Sequence, residues 1–139
     1  MKLLNVLFLG LTLSFLVSCG GEPIVKTWKL ENIDFEELLK EMPAETRDMM
    51  KKSADENMAK TKGKVIFDFK KDGSFTSENP GMDGTTSKET GKWSLSKDKK
   101  TLTAEIKGEK QDFVVHELSS SKLSIEPKGQ KMKLIFVPK

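Results

Sequence analysis

Val65-Ile66-Phe67-Asp68-Phe69-Lys70-Lys71-Asp72-Gly73-Ser74-Phe75 is the stretch that decides the fold. Val65, Phe67 and Phe69 alternate with Ile66 and Asp68, the period-two pattern of a strand with one face packed and one face wet. An Asp-Gly pair then supplies the turn and Phe75 opens the next run, which together signal a β-hairpin. The same alternation continues toward the C-terminus in Trp93 and Leu95, in Leu102, Ala104 and Ile106, in Phe113 and Val115, in Leu123 and Ile125, and in Met132, Leu134 and Phe136. Residues 79–88 read as a longer polar loop, and shorter turns fall at Asp98, Gly108, Ser119 to Ser121, and Pro127 with Gly129.

Working back toward the N-terminus, Ile24, Trp28 and Leu30 share one face of a first strand over 24–33, broken by Lys26. Asp34 ahead of Phe35-Glu36-Glu37 sets a carboxylate at a helix cap with a glutamate three residues on. Pro43 divides the helical segment into two pieces, about 35–42 and 43–60. Met50, Ala54 and Met58, with Met49 beside them, form one apolar stripe on the second piece.

About eight short strands at roughly ten-residue intervals make an antiparallel meander, and closure of a meander removes its two exposed edges. The expected fold is therefore mainly β: an eight-stranded antiparallel up-and-down barrel with a helical insertion, residues 34–60, between the first two strands. Apolar side chains point inward, with Ser, Thr, Lys and Glu largely opposite them. A barrel of this size either fills its interior with side chains or holds one small ligand. Trp28, Phe67, Phe69, Trp93 and Phe113 are the candidate interior lining.

The N-terminus carries a different kind of signal. Lys2, the apolar run Leu3 to Leu16 and the sequence Leu16-Val17-Ser18-Cys19 have the layout of a secretory signal ending in a bacterial lipobox. Cleavage before Cys19 gives a signal peptide 1–18, a lipidated tether 19–23 and a barrel domain 24–139. The Cys19 thiol would carry a diacylglycerol and the new amino terminus a further acyl chain such as palmitate; two or more chains make a stable anchor. Gly20 is not the aspartate associated with inner-membrane retention, so the outer membrane is the expected location, on its periplasmic or its surface face.

Of the 139 residues, 121 remain after residue 18, enough for one core. Losing Lys2 lowers the net charge from +3 to about +2. Arg47 is the only arginine, so the bidentate fork that reads phosphates and guanine edges is nearly absent and nucleic acid is not an expected partner. Lys70-Lys71 and the run from Lys97 to Lys100 fall at turns beside aspartates, where solvated hairpin ends are the ordinary explanation and an anionic-lipid contact the alternative. Acylation of the single cysteine leaves no thiol for a disulfide or a metal site, and His116 is the only histidine, on the strand face opposite Phe113 and Val115. No G-x-S-x-G, P-loop or G-x-G-x-x-G occurs. The chain is read as a non-enzyme with no cofactor.

Thr27-Trp28-Lys29-Leu30, Phe67 to Phe75, Thr90-Gly91-Lys92-Trp93-Ser94-Leu95, Thr101-Leu102 and Val115 to Ile125 together resemble the bacterial lipocalin-like domain found in lipoproteins of Bacteroidota. The resemblance implies an up-and-down barrel and a capacity for small apolar ligands. Lipocalins proper begin with Gly-x-Trp; here Lys26 stands at the glycine position, and a Gly-x-Trp occurs instead at Gly91 to Trp93. Two functions are expected from these features: a lipid-anchored binding protein for a small hydrophobic ligand, with the methionine-bearing helix as a lid, or a filled structural barrel that contacts another envelope protein.

Overall fold

The computed structural model describes residues 23–139; the signal segment, Cys19 and the tether as far as Glu22 lie outside the described residues. Eight antiparallel strands form a closed barrel in chain order: β1 (Thr27–Asp34), β2 (Ile66–Phe69), β3 (Ser74–Pro80), β4 (Thr86–Leu95), β5 (Thr101–Ile106), β6 (Glu109–Leu118), β7 (Leu123–Pro127) and β8 (Lys133–Pro138). Closure is made by β1 against β8, from Trp28 opposite Pro138 to Asp34 opposite Lys133, with a register shift between Leu30 and Asn32. Two helices, α1 (Glu36–Lys40) and α2 (Ala44–Thr61), occupy the connection from β1 to β2.

In an up-and-down barrel alternate turns fall at opposite ends. The β2–β3, β4–β5 and β6–β7 turns share one end with the start of β1, and the helices share the other with the β3–β4, β5–β6 and β7–β8 turns. The first end is plugged. Ile24 and Trp28 are fully buried, and the Trp28 indole N–H donates to the Ile24 carbonyl at 2.9 Å. Lys26 N–H also turns back to Ile24 O at 2.8 Å. Residues 24–26 thus form a turn across the barrel floor, which is why β1 starts at Thr27 rather than at residue 24.

Above the plug lies an aromatic layer. Phe67 stacks on Phe136 with ring centroids 4.7 Å apart, Phe69 meets Phe75 at 5.0 Å, and Phe69 meets Trp93 edge-on at 5.7 Å. Such pairs add about 0.5–1.5 kcal/mol each beyond the burial of their area. Leu102, Leu123 and Ile125 complete the buried core.

The helical insertion differs from its sequence reading in detail. Asp34 Oδ1 accepts from Glu36 N–H at 2.9 Å, so the expected carboxylate serves the helix start, but Phe35 takes the cap position and α1 begins at Glu36. Pro43 is extended (ψ 149) and precedes α2 rather than opening it. The stripe is only partly used. Met58 packs against the barrel core, whereas Met50 is 37% and Met49 75% exposed, and no residue of α2 is fully buried. Charged residues on every side of α2 leave it too little apolar surface to embed. Arg47 joins the helices, donating through Nε to Leu39 O at 3.0 Å and through Nη2 to Met42 O at 3.1 Å.

The polar loop is shorter than its composition suggests. Asn79 pairs with Ser87 and Pro80 with Thr86, so β3 and β4 extend through most of residues 79–88. Only Gly81 to Thr85 turn, with Gly84 at φ +82 and the Asp83 carboxylate accepting from the Thr85 N–H and hydroxyl.

Candidate ligand-binding site

The unplugged half of the barrel holds a cavity of about 530 Å³. Its apolar wall is Phe67, Phe75, Ala104, Ile106 and Phe113, contributed by β2, β3, β5 and β6. Toward the helical end the wall becomes polar, through Ser77 and Asn79 on β3, Glu89 on β4, and Glu109 and Gln111 on β6. These positions are fixed by strand parity. Ser77 and Asn79 continue the inward face of Phe75, Glu89 continues that of Gly91 and Trp93, and Glu109 and Gln111 continue that of Phe113. Cross-strand register agrees, with Phe75 opposite Gly91, Ser77 opposite Glu89, Ala104 opposite Gln111 and Ile106 opposite Glu109.

The five residues singled out from the sequence divide between two places. Phe67 and Phe113 line the cavity. Trp28 and Phe69 lie in the packed floor at 0% and 1% exposure, and Trp93 stands half-buried at the plugged end with its indole N–H donating to Lys70 O at 2.8 Å. No residue of α2 lines the cavity, so the methionine-bearing helix is not a lid over it.

The polar half of the lining was absent from the sequence reading, which placed Ser and Glu largely on the outer face. Counting on by two from Phe75, or back by two from Trp93 and Phe113, reaches all of these positions. The signal is the parity, which survives where hydrophobicity stops. Ser77 is almost fully buried, and it and Asn79 place polar side chains on the cavity wall, where a ligand would meet them. Glu89 Oε1 accepts from Nζ of Lys107, in the β5–β6 turn, at 3.1 Å.

Other ionisable residues are occupied on the outer wall. His116 sits at a bulge in β6, exposed, with Nε2 3.0 Å from Glu126 Oε2. Asp112 accepts from the Thr103 hydroxyl at 2.6 Å, and this bond, with Lys128 and Lys110 nearby, holds its carboxyl below the usual range. Among the described residues, no group of three or more His, Cys, Asp or Glu side chains is placed to hold a metal, and no helix is long and apolar enough to cross a membrane.

Comparison with known proteins agrees with this architecture. A lipocalin-like domain family model matches residues 24–125. A lipocalin-like protein from Bacteroides uniformis superposes with a TM-score of 0.57 at 19% identity, covering 84% of this chain and 99% of that one. An uncharacterized protein from Bacteroides eggerthii superposes at 0.55 and 14% identity, with the same coverage. No curated protein matches the sequence. These structures show the shared fold, and the family match, spanning most of the barrel, shows that the chain belongs to the lipocalin-like domain family.

Proposed function

We propose that this protein is a lipid-anchored lipoprotein of the bacterial cell envelope, attached through Cys19 to the outer membrane, whose barrel binds one small, largely apolar ligand. One observation carries the binding reading: a cavity of about 530 Å³ with a phenylalanine wall and a few convergent polar groups at its rim. Small-molecule sites typically occupy about 300–1,000 Å³ and are built this way. Lipocalin-like domains often bind small hydrophobic molecules, and the fold is typically a binding fold rather than a catalytic one. The anchor rests on the sequence from Lys2 to Cys19.

Native mass spectrometry of the protein purified without detergent from its own type of host, followed by solvent extraction, tests the binding reading. A stoichiometric apolar adduct is expected. A clean apo mass, with no uptake from a panel of fatty acids, fatty alcohols and isoprenoids, would overturn it. For the anchor, the N-terminal peptide should carry acyl chains that are lost on Cys19→Ala.

A second reading has its own support. Met82, at the β3–β4 turn, is fully exposed and Met49 on α2 nearly so, and exposed methionines suit an adaptable contact with another envelope protein. Crosslinking from these two positions to one defined partner would favour it.

A further inference from the structure

The plugged end of the barrel gathers lysines from two turns. Around the helical end four lysines are paired, Lys107 with Glu89 at 3.1 Å, Lys128 with Asp112 at 3.5 Å, Lys133 with Glu37 at 3.6 Å, and Lys131 with Glu41, while Lys40, Lys51, Lys52 and Lys60 are spread along the two helices without a carboxylate partner among the described residues. At the plugged end, Lys70 and Lys71 in the β2–β3 turn and Lys97, Lys99 and Lys100 in the β4–β5 turn are exposed, and none has a carboxylate oxygen within 4.0 Å among the described residues. The two aspartates between them face inward on their own turns. Asp72 accepts from the Ser74 N–H and hydroxyl, and Asp98 from the Ser96 hydroxyl and the Lys100 N–H. The turns are neighbours in space, since the Lys70 carbonyl accepts from Trp93, two residues before β4 ends. The chain enters the barrel at this same end, where Lys26 Nζ donates to Ser120 O in the β6–β7 turn at 2.8 Å.

We propose that this lysine-rich end is a docking surface for an anionic phospholipid bilayer, the one that holds the lipidated Cys19. Solvated hairpin ends would account for each turn alone. They do not by themselves account for two such turns, with five unpaired lysines, meeting at the end where the tether enters the barrel. Only residues 19–23 separate the acylated cysteine from the barrel, a reach of less than about 20 Å fully extended, so the end nearest the tether is the one brought to the headgroups. An acyl anchor and a basic patch acting together are the usual combination at membrane surfaces, and unpaired lysines facing phosphates are its electrostatic half. Docked this way, the barrel points the cavity and helices away from the bilayer, so ligand exchange occurs on the far side. The orientation rests on the anchor proposed above; the patch does not.

The test uses the mature lipoprotein, extracted in detergent and dialysed into vesicles of phosphatidylcholine alone or with phosphatidylglycerol. Amine-reactive labelling of each lysine is read by mass spectrometry. Labelling of the five turn lysines should fall about threefold in the anionic vesicles, while Lys51 and Lys52 on α2 label equally in both. The protection should vanish near 1 M salt, where the Debye length is about 3 Å. A Lys70→Glu, Lys97→Glu protein, altered only at exposed turn side chains, should float with both vesicle types and show no difference. Equal labelling of the turn lysines in the two vesicle types, or protection that persists in the double variant, would overturn the docking surface. Flotation separates the two readings. Protein that floats only with anionic vesicles keeps the patch and loses the anchor; protein that floats with neither loses both.

Discussion

A Cβ atom built on Gly91 would lie 1.9 Å from the carbonyl oxygen of Glu105 on the neighbouring strand. Its φ is not positive, so the requirement is for space rather than for an unusual backbone angle. Here β4 and β5 approach more closely than any side chain permits, at the level where the packed floor gives way to the cavity. Gly91→Ala should therefore destabilise the barrel by about 1–3 kcal/mol, the usual cost of overpacking. Guanidinium unfolding would show it, and an unchanged midpoint would mean that the strands separate more easily than their packing indicates.

Floor and cavity aromatics should respond in opposite ways. Phe69, 1% exposed and in contact with Phe67, Phe75 and Trp93, should cost about 3–5 kcal/mol on Phe69→Ala. Phe113→Lys, at a half-buried cavity wall, should leave the fold near its original stability and remove uptake of an apolar probe. Thermal melts paired with a fluorescent-probe titration separate the two. Loss of binding in neither variant would argue against the cavity as the site.

The plug is fastened by a side-chain hydrogen bond. In Trp28→Phe the Ile24 carbonyl loses the indole N–H that reaches it at 2.9 Å, inside a fully buried setting. The Lys26 N–H still donates to that carbonyl at 2.8 Å, so the loss is that of one net hydrogen bond, about 0.5–1.5 kcal/mol. Hydrogen exchange should report faster opening at Lys26 and Thr27, with β4 to β6 little changed.

Acid should loosen the turns before it unfolds the floor. Asp72, Asp83, Asp98 and Asp112 all have carboxyl groups held below the ordinary value of 3.8, chiefly by the hydroxyls of Ser74, Thr85, Ser96 and Thr103 respectively. A carboxylate whose pKa is depressed in the folded state adds stability above its unfolded pKa and loses it as the pH falls through the folded value. Stability should thus be flat with regard to these groups at neutral pH and decline from about pH 4 downward. Asp112→Asn should shrink that decline; a slope unchanged in the variant would show that the Thr103 bond contributes nothing.

Arg47 should matter to the helices alone. Arg47→Ala removes the donors to Leu39 O and Met42 O, so α1 and the link to α2 should lose hydrogen-exchange protection while barrel stability changes by less than about 1 kcal/mol. A large global loss would instead make the insertion part of the folding unit.

The period-two run from Val65 to Phe75, repeated to Phe136, determined strand number, turn placement and the closed meander, because alternation and turn chemistry are local properties that leave few topologies for a chain of this length. Cap and proline signals located both helices to within a few residues for the same reason. Three features were decided only by the tertiary structure. Which aromatics face space and which are packed depends on height in the barrel: Phe67 and Phe69 share one strand face, yet only Phe67 reaches the cavity. The polar rim of Ser77, Asn79 and Glu89 lies inward because strand parity is obligatory once Phe75 and Trp93 are inside, whatever the hydropathy of the next residue. The lysines of two separate turns become one surface because alternate hairpins of a closed meander return to the same end, a juxtaposition carried by topology and by no contiguous stretch of sequence.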